Sequence, residues 1–311
     1  MKTRRRLVLA CATRRGLRVL EHLAECAPRA ELVVFSFPEE PHEPPFLDAI
    51  RDACRHLNAT MHVARDLGAQ EWELVWRVEF DVLLAVSWRY LIPPHVYRRA
   101  RHGAYVFHDS LLPAYRGFSP TVWSILNGED HTGVTLFAMS EAVDAGEVVD
   151  QRRVSIGAND TVAEVMDRVT VAYLDVLSEK LPEILGGTVR PTAQPEIGVS
   201  QTCRLLPEDC EIDWHQPSES IHNLVRGYTH PYPGAFTWLD GHRLTVWATR
   251  LEEKAQRWVG RVPGRVAEVR IGEGALVCTG NGVLLVMRVQ PEGGEEVSAE
   301  KVLRSLSQTL G

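Results

Sequence analysis

The sequence has no Cys-x-x-Cys pair, no excess of basic side chains, and no apolar run approaching the ~20 residues of a membrane span. Its six cysteines, Cys11, Cys26, Cys54, Cys203, Cys210 and Cys278, lie far apart. That spacing signals neither a zinc site nor a disulfide framework, and a reducing cytoplasm is the setting it implies. Acidic residues outnumber basic ones, 41 to 34, for a formal charge of -7. Tight binding to a phosphate backbone normally shows as a basic surface, so nucleic acid is not an expected partner. A Walker loop, an HExxH pair and a GxSxG elbow are also missing, which removes phosphate-loop NTPases, zincins and α/β hydrolases from the field. The Gly-rich stretch GEGALVCTGNG (272–282) lacks full GxGxxG spacing and lies between strand-like runs, so it reads as a turn. At the N-terminus, Arg4, Arg5 and Arg6 precede an apolar run, Leu7 to Ala12, that is too short for a signal peptide and is closed by Arg14 and Arg15. It reads as a first buried strand.

With 311 residues, 45% hydrophobic and 24% charged, the chain has the composition of a soluble globular protein and room for two domains. Its first half alternates short apolar runs with amphipathic stretches, the pattern of a parallel sheet wrapped by helices. Strands are expected at Arg6 to Cys11, Leu32 to Ser36, Met61 to Val63, Val82 to Val86 and Ala104 to Phe107. Helices are expected at Leu17 to Cys26, Phe46 to Leu57, Glu71 to Val78 and Pro94 to Arg99, and a long amphipathic one follows Thr161 and ends at Gly186 and Gly187. A polar segment from about Thr188 to Pro207 reads as a linker. Beyond it, Thr237 to Leu251 and Gly264 to Val289 read as short strands of a small barrel or sheet. In open sheets ligands sit beyond the carboxyl ends of the strands. That rule places Ser87, Trp88, Arg89 and Tyr90 on one rim with His108, Asp109 and Ser110.

The chemistry is concentrated in YVFHDSLLPAYRGFSP (105–120), where His108 is followed closely by Ser110, Pro113, Tyr115, Arg116 and Gly117. A second acidic turn, EAVDAGEVVDQ (141–151), carries Asp144 ahead of Ala145 and Gly146. Taken singly, His108 is a satisfied structural histidine and Asp144 an aspartate capping a turn. Paired across a sheet rim, the carboxylate orients the imidazole and holds its charged form, which is what a general base needs.

In these residues the sequence resembles the formyltransferases that use 10-formyltetrahydrofolate, and the resemblance runs along essentially the whole chain. The family pattern, Asn-x-His followed by SLLPxYRG, is matched by His108, Ser110, Leu111, Leu112, Pro113, Tyr115, Arg116 and Gly117. NGEDHTGVTLFAM (127–139), DAGEVVDQ (144–151), PEDCEIDW (207–214) and IHNLVRGYTHPYPGAFTW (221–238) are further matching pieces in the family order. The resemblance implies an α/β architecture: a Rossmann-like, mostly parallel folate-binding and catalytic domain over 1–203, then an OB-like β-barrel domain over 204–311. It implies no metal. It maps the family's proton-transferring histidine to His108 and the aspartate that orients it to Asp144. Folate contacts fall to Ser87, Trp88, Arg89, Tyr90, Leu91, Leu111 and Asp144, and substrate contacts to Tyr115, Arg116 and Gly117.

Two positions depart from the pattern. The family asparagine, which stabilises the developing oxyanion, is replaced by Val106, and loss of one such donor typically costs about 10² to 10³ in rate, roughly 3 to 4 kcal/mol. Ser110, a protonated His108 or a backbone N–H are the candidate substitutes. Asp109 stands where the family often has Pro or Gly. For the acceptor, acidic residues slightly outnumber basic ones in the C-terminal part, which disfavours a transfer RNA. The motifs IDWHQPSESIHNLVR and PYPGAFTW look closer to the enzyme half acting on UDP-4-amino-4-deoxy-L-arabinose. The expected activity is therefore N-formylation of a small amine, an amino-sugar nucleotide or a related biosynthetic amine. A non-catalytic folate or nucleotide-sugar binding homologue, a formyltetrahydrofolate hydrolase and a methionyl-tRNA formyltransferase are the competing readings, and a homodimer is left open.

Overall fold

A computed structural model of the chain describes residues 4–40, 43–252 and 258–311, and two compact units emerge from it. One gathers Met1–Pro120, Thr132–Val154 and Asp167–Thr202; the other gathers Thr121–His131, Ser155–Met166 and Cys203–Gly311.

The chain runs in order through β1 (Arg6–Cys11), α1 (Thr13–Cys26), β2 (Glu31–Ser36), α2 (Leu47–His56), β3 (Thr60–Val63), α3 (Glu73–Trp76), β4 (Val82–Val86), α4 (Pro94–Tyr97) and β5 (Ala104–His108). It continues through β6 (Arg116–Gly117), α5 (Pro120–Leu126), β7 (His131–Ala138), β8 (Val148–Ser155), α6 (Val162–Gly186) and β9 (Gln201–Thr202). The main sheet has the order β3-β2-β1-β4-β5-β7-β8. Strands β3 to β5 pair in parallel, and β7 joins antiparallel to β5. All five residues of β4 are buried, as expected of a strand covered on both faces. The strand order reverses between β1 and β4, and the crevice that such a reversal opens lies at their carboxyl ends.

Helix α1 begins four residues before the expected Leu17, immediately after β1. Gly16 permits this tight turn back onto the strand, because a Cβ there would stand 2.9 Å from the Cβ of Cys11. The helix expected over Glu71 to Val78 is shorter, a 3₁₀ turn at Gln70–Trp72 followed by α3. The segment read as a linker is a correction: Thr192 bridges to Val148, and Gln201 and Thr202 pair in parallel with Arg116 and Gly117. Its polar side chains bond backbone and the Arg116 guanidinium rather than pack in a core, so it shows no apolar periodicity.

The second unit contains α7 (Ser218–Tyr228), β10 (Ala235–Leu239), β11 (His242–Leu251), β12 (Val266–Arg270), β13 (Gly274–Cys278), β14 (Val283–Pro291) and β15 (Val297–Ser298). These strands form a separate antiparallel sheet, β10-β11-β14-β13-β12, with β15 on β14. Asp240 and Gly241 link β10 to β11 with φ of +51° and +79°, the geometry that a two-residue hairpin loop requires. Ile212, Trp214, Ile221, Val225, Val246, Leu284 and Val286 are among the buried residues of its core.

Candidate functional site

Alternation along β5 puts Val106 and His108 on one face of the sheet and Tyr105 and Phe107 on the other. Phe107 stacks on Tyr173 of α6 with ring centroids 4.6 Å apart. Val106, half-buried, stands in register between Ala85 of β4 and Phe137 of β7, and His108 lies opposite Thr135. The parallel strands end on a common edge, so His108 and the residues after β1 and β4 share one rim.

The loop leaving β5 is closed on itself and on β7. Ser110 Oγ donates to the Ala114 carbonyl at 2.6 Å. Thr135 Oγ1 donates to Ser110 O at 2.6 Å and accepts from Leu112 N at 3.1 Å and from Gln151 Nε2 at 2.9 Å. The same Gln151 nitrogen reaches Leu112 O at 2.8 Å, which gives the last residue of the DAGEVVDQ turn a physical task. Leu111 lies over β7 at Gly133, where a Cβ would come within 2.3 Å of it. This bracing brings the Tyr115 carbonyl to 2.8 Å from His108 Nε2. A carbonyl only accepts, so Nε2 carries the proton and Nδ1 of the neutral ring holds the lone pair.

Asp144 faces that lone pair: its Oδ2 is 3.8 Å from His108 Nδ1 and accepts from Gly117 N at 2.9 Å. Both side chains are largely buried. At 3.8 Å the pair is too long for a hydrogen bond. The imidazole is thus hydrogen-bonded to the Tyr115 carbonyl, and the Asp144 carboxylate lies on its other side at ion-pairing distance. Asp144 itself is at φ +51°, and Gly146 two residues on lets the turn close, since a Cβ there would lie 1.7 Å from Ala138 O.

The segment 188–202 supplies residues that the sequence did not single out. Gln194 Nε2 donates to Asp144 O and to Gly146 O, each at 2.8 Å, and its Oε1 accepts from Arg116 Nη2 at 2.6 Å and Nε at 3.2 Å. Ser200 Oγ accepts from Tyr115 N at 2.8 Å, and Ser200 O from Arg116 N at 2.9 Å. Gly117, at φ +111°, approaches Thr202 so closely that a Cβ would meet its carbonyl at 2.5 Å. The guanidinium of Arg116, expected to contact substrate, is thus held by Gln194, and the hydroxyl of Ser110, expected as a substitute oxyanion donor, is directed at Ala114.

At the β1/β4 crevice, Thr13 and Ser87 both take positive φ, +65° and +52°, and Thr13 Oγ1 donates to Ser87 Oγ at 3.3 Å. Trp88 and Tyr90 meet the Phe37 ring edge-on at 5.2 and 4.9 Å. Arg89 lies 5.0 Å over the same ring and pairs with Glu43 at 2.6 Å. The Trp88 indole N–H is buried and has no hydrogen-bond partner among the described residues. Leu91, expected with these residues, is 78% exposed.

On the opposite face from Val106, Asp109 joins two helices. Its Oδ2 takes Arg15 Nη1 at 2.5 Å, and its Oδ1 accepts from the Tyr173 hydroxyl. Burial first, and then the charge of Asp109, raise the Tyr173 hydroxyl well above its ordinary range, so it stays a donor. Among the described residues, no group of three or more His, Cys, Asp or Glu side chains is arranged to hold a metal, and no helix is long and apolar enough to cross a membrane.

Residues 39–181 match the sequence model of the formyl transferases, and residues 204–307 that of the formyl transferase C-terminal domain. Among solved structures, HypX from Aquifex aeolicus in complex with tetrahydrofolic acid aligns with 96% of this chain at 22% identity and a TM-score of 0.66, over 46% of its own length. The chain thus spans about half the length of HypX. WlaRD, a sugar 3N-formyl transferase crystallised with dTDP and 5-N-formyl-THF, aligns with 92% of this chain over 97% of its own, at 16% identity and a TM-score of 0.68. An N-formyltransferase from Helicobacter canadensis in complex with folinic acid and dTDP-3-aminofucose covers 95% of this chain and 100% of its own, at 14% identity and the same TM-score of 0.68. With residues 39–181 matching one sequence model and 204–307 the other, the chain belongs to the formyl transferase family.

Proposed function

We propose that this enzyme moves a formyl group from 10-formyltetrahydrofolate to the amine of a small acceptor, an amino-sugar nucleotide or a related biosynthetic amine, in the cytoplasm. The observation that carries the reading is the fixed tautomer of His108: Nε2 is committed to the Tyr115 carbonyl, Nδ1 holds the lone pair, and Asp144 stands 3.8 Å from it. An amine that attacks the formyl carbon must lose a proton, and N10 of the folate must gain one as its bond to carbon breaks. His108 Nδ1 is the base for the first transfer, and the carboxylate balances the imidazolium in between. The crevice fits a folate. Phe37, Trp88 and Tyr90 offer ring faces and edges to a flat heterocycle, and the Trp88 N–H is a buried donor in need of an acceptor. The folate supplies the activated formyl carbon. We assign folate binding and chemistry to 1–203 and treat 204–311 as an OB-like domain. The preference for a sugar rests on the acidic C-terminal part and on the sugar substrates named for the structural neighbours.

The protein, 10-formyl-5,8-dideazafolate and a panel of amino-sugar nucleotides are expected to yield an acceptor heavier by one formyl group, with the yield abolished in His108→Ala. No product from any amine, with His108→Ala indistinguishable from the parent, would overturn the proposal. Formate released without acceptor would make the protein a hydrolase. Val106 favours a second reading, a homologue that binds folate or nucleotide sugar without turning over. Binding of the analogue with no turnover, in the parent and in Val106→Asn alike, would decide for it.

A further inference from the structure

We infer that Gln194 is a positioning residue for the His108 and Asp144 pair, an inference that rests on the proposed formyl transfer for its kinetic consequence but not for its geometry. A carboxamide has two N–H donors and two acceptor lone pairs on its oxygen. All four positions of the Gln194 amide are in use: both N–H groups go to the Asp144 turn, at Asp144 O and Gly146 O, and the oxygen takes two contacts from Arg116. The two partners of this clamp are the two sides of the candidate site. The turn presents the Asp144 carboxylate to His108 Nδ1, and the loop containing Arg116 presents both the Tyr115 carbonyl to His108 Nε2 and the Gly117 N–H to Asp144 Oδ2.

Asp144 needs such a clamp. A non-glycine residue at φ +51° is in a sparsely populated conformation that persists only when its surroundings hold it there. The carbonyl of Asp144 itself and that of Gly146 are both held by the Gln194 amide. The clamp belongs to an exposed stretch: every residue from 195 to 201 is exposed, and Gln194 is half-buried. Its bonds therefore contribute little to the core of the unit and act chiefly on where the carboxylate sits relative to the ring. Neither matched family segment, 39–181 or 204–307, contains it.

Two variants test this. Gln194→Glu preserves length and the acceptor for Arg116 but replaces both N–H donors by a carboxylate set against two carbonyls; Gln194→Ala removes all four contacts. Long-range ¹H–¹⁵N spectra of histidine-labelled protein read the tautomer of His108 directly. The parent is expected to show the Nε2–H form, and both variants a displaced or mixed signal, while thermal unfolding stays close to that of the parent. With 10-formyl-5,8-dideazafolate and an accepted amine, kcat should fall by on the order of 10²-fold, the size of effect that a 1 Å misplacement produces, with KM for the folate analogue little changed. A folded Gln194→Ala with the parental His108 signal overturns the inference, as does an unchanged kcat in either variant. If Gln194→Ala does not fold, Gln194→Glu carries the test alone. Should the parent transfer no formyl group to any amine, the proposed function fails while the His108 spectra still decide the inference.

Discussion

Replacing Asp109 by asparagine would take the carboxylate away from the Arg15 guanidinium one residue from the proposed base. The Arg15 and Asp109 side chains are 11% and 15% exposed and meet at 2.5 Å, and Tyr173, 1% exposed, donates to the remaining carboxylate oxygen. Breaking a buried ion pair by removing one partner costs about 3 to 5 kcal/mol, most of it from the stranded charge. The residual exposure of both side chains screens part of that, which leaves about 2 to 3 kcal/mol for Asp109→Asn. Tyr173→Phe keeps the ring on Phe107 and removes one hydrogen bond to a charged group, about 1.5 to 3 kcal/mol. The double change Arg15→Met with Asp109→Leu removes both charges together. It is expected to cost at least ~1 kcal/mol less than the sum of the single changes. Urea titration at neutral pH, followed by circular dichroism and tryptophan emission, gives each value from the midpoint shift at constant slope. An Asp109→Asn protein within ~0.5 kcal/mol of the parent, or strict additivity in the double variant, would refute a coupled buried pair.

Val106→Asn places a carboxamide on the His108 face between Ala85 and Phe137, and formyl transfer is expected to quicken by about 10² to 10³; an unchanged rate would mean that another donor already faces the oxyanion. Gly146→Ala forces the Asp144 turn away from Ala138 O, which a Cβ would approach to 1.7 Å, and should cost about 1 to 3 kcal/mol in thermal unfolding together with lost turnover; a variant that melts and reacts like the parent contradicts the packing described. At Asp81, burial works to raise the carboxyl, but donation from Arg6 N and Arg5 Nη1, with the charges of Arg5 and His102, leaves it below its ordinary value of 3.8. A group lowered on folding stabilises fully above its unfolded value and loses that contribution as pH falls through the folded one. Asp81→Asn should therefore flatten the stability curve below about pH 4, and an acid limb identical to that of the parent would remove Asp81 from the account.

The sheet was legible because its strands are uninterrupted apolar runs. Arg6 to Cys11 and Val82 to Val86 coincide with β1 and β4, and β5 extends only one residue past its expected end, to take in His108. Helix starts were less so. No side chain caps α1 at Ala12, so nothing in the local sequence marks Thr13 as its first residue. In the site, His108 and Asp144 stood out by type and by family pattern, whereas the tautomer depends on a carbonyl, which has no sequence signature. The partners of Asp109 lie 94 and 64 residues away in the chain, and Gln194 acts on Arg116 from a distance of 78. Contacts between polar side chains so far apart in the chain leave no periodicity to detect. A faint local sign existed at Pro191 and Pro195, which hold the chain extended on either side of Gln194.

The parallel rungs between Arg116–Gly117 and Gln201–Thr202 also join segments that are synthesised at different times. During synthesis His108, Asp144 and Arg116 leave the ribosome well before Gln194, Ser200 and Thr202. A nascent chain ending near residue 190 would carry every side chain assigned to proton transfer yet lack the amide and hydroxyls that hold the loop and the turn. The residues that brace the loop and the turn are therefore the last part of the first unit to be synthesised.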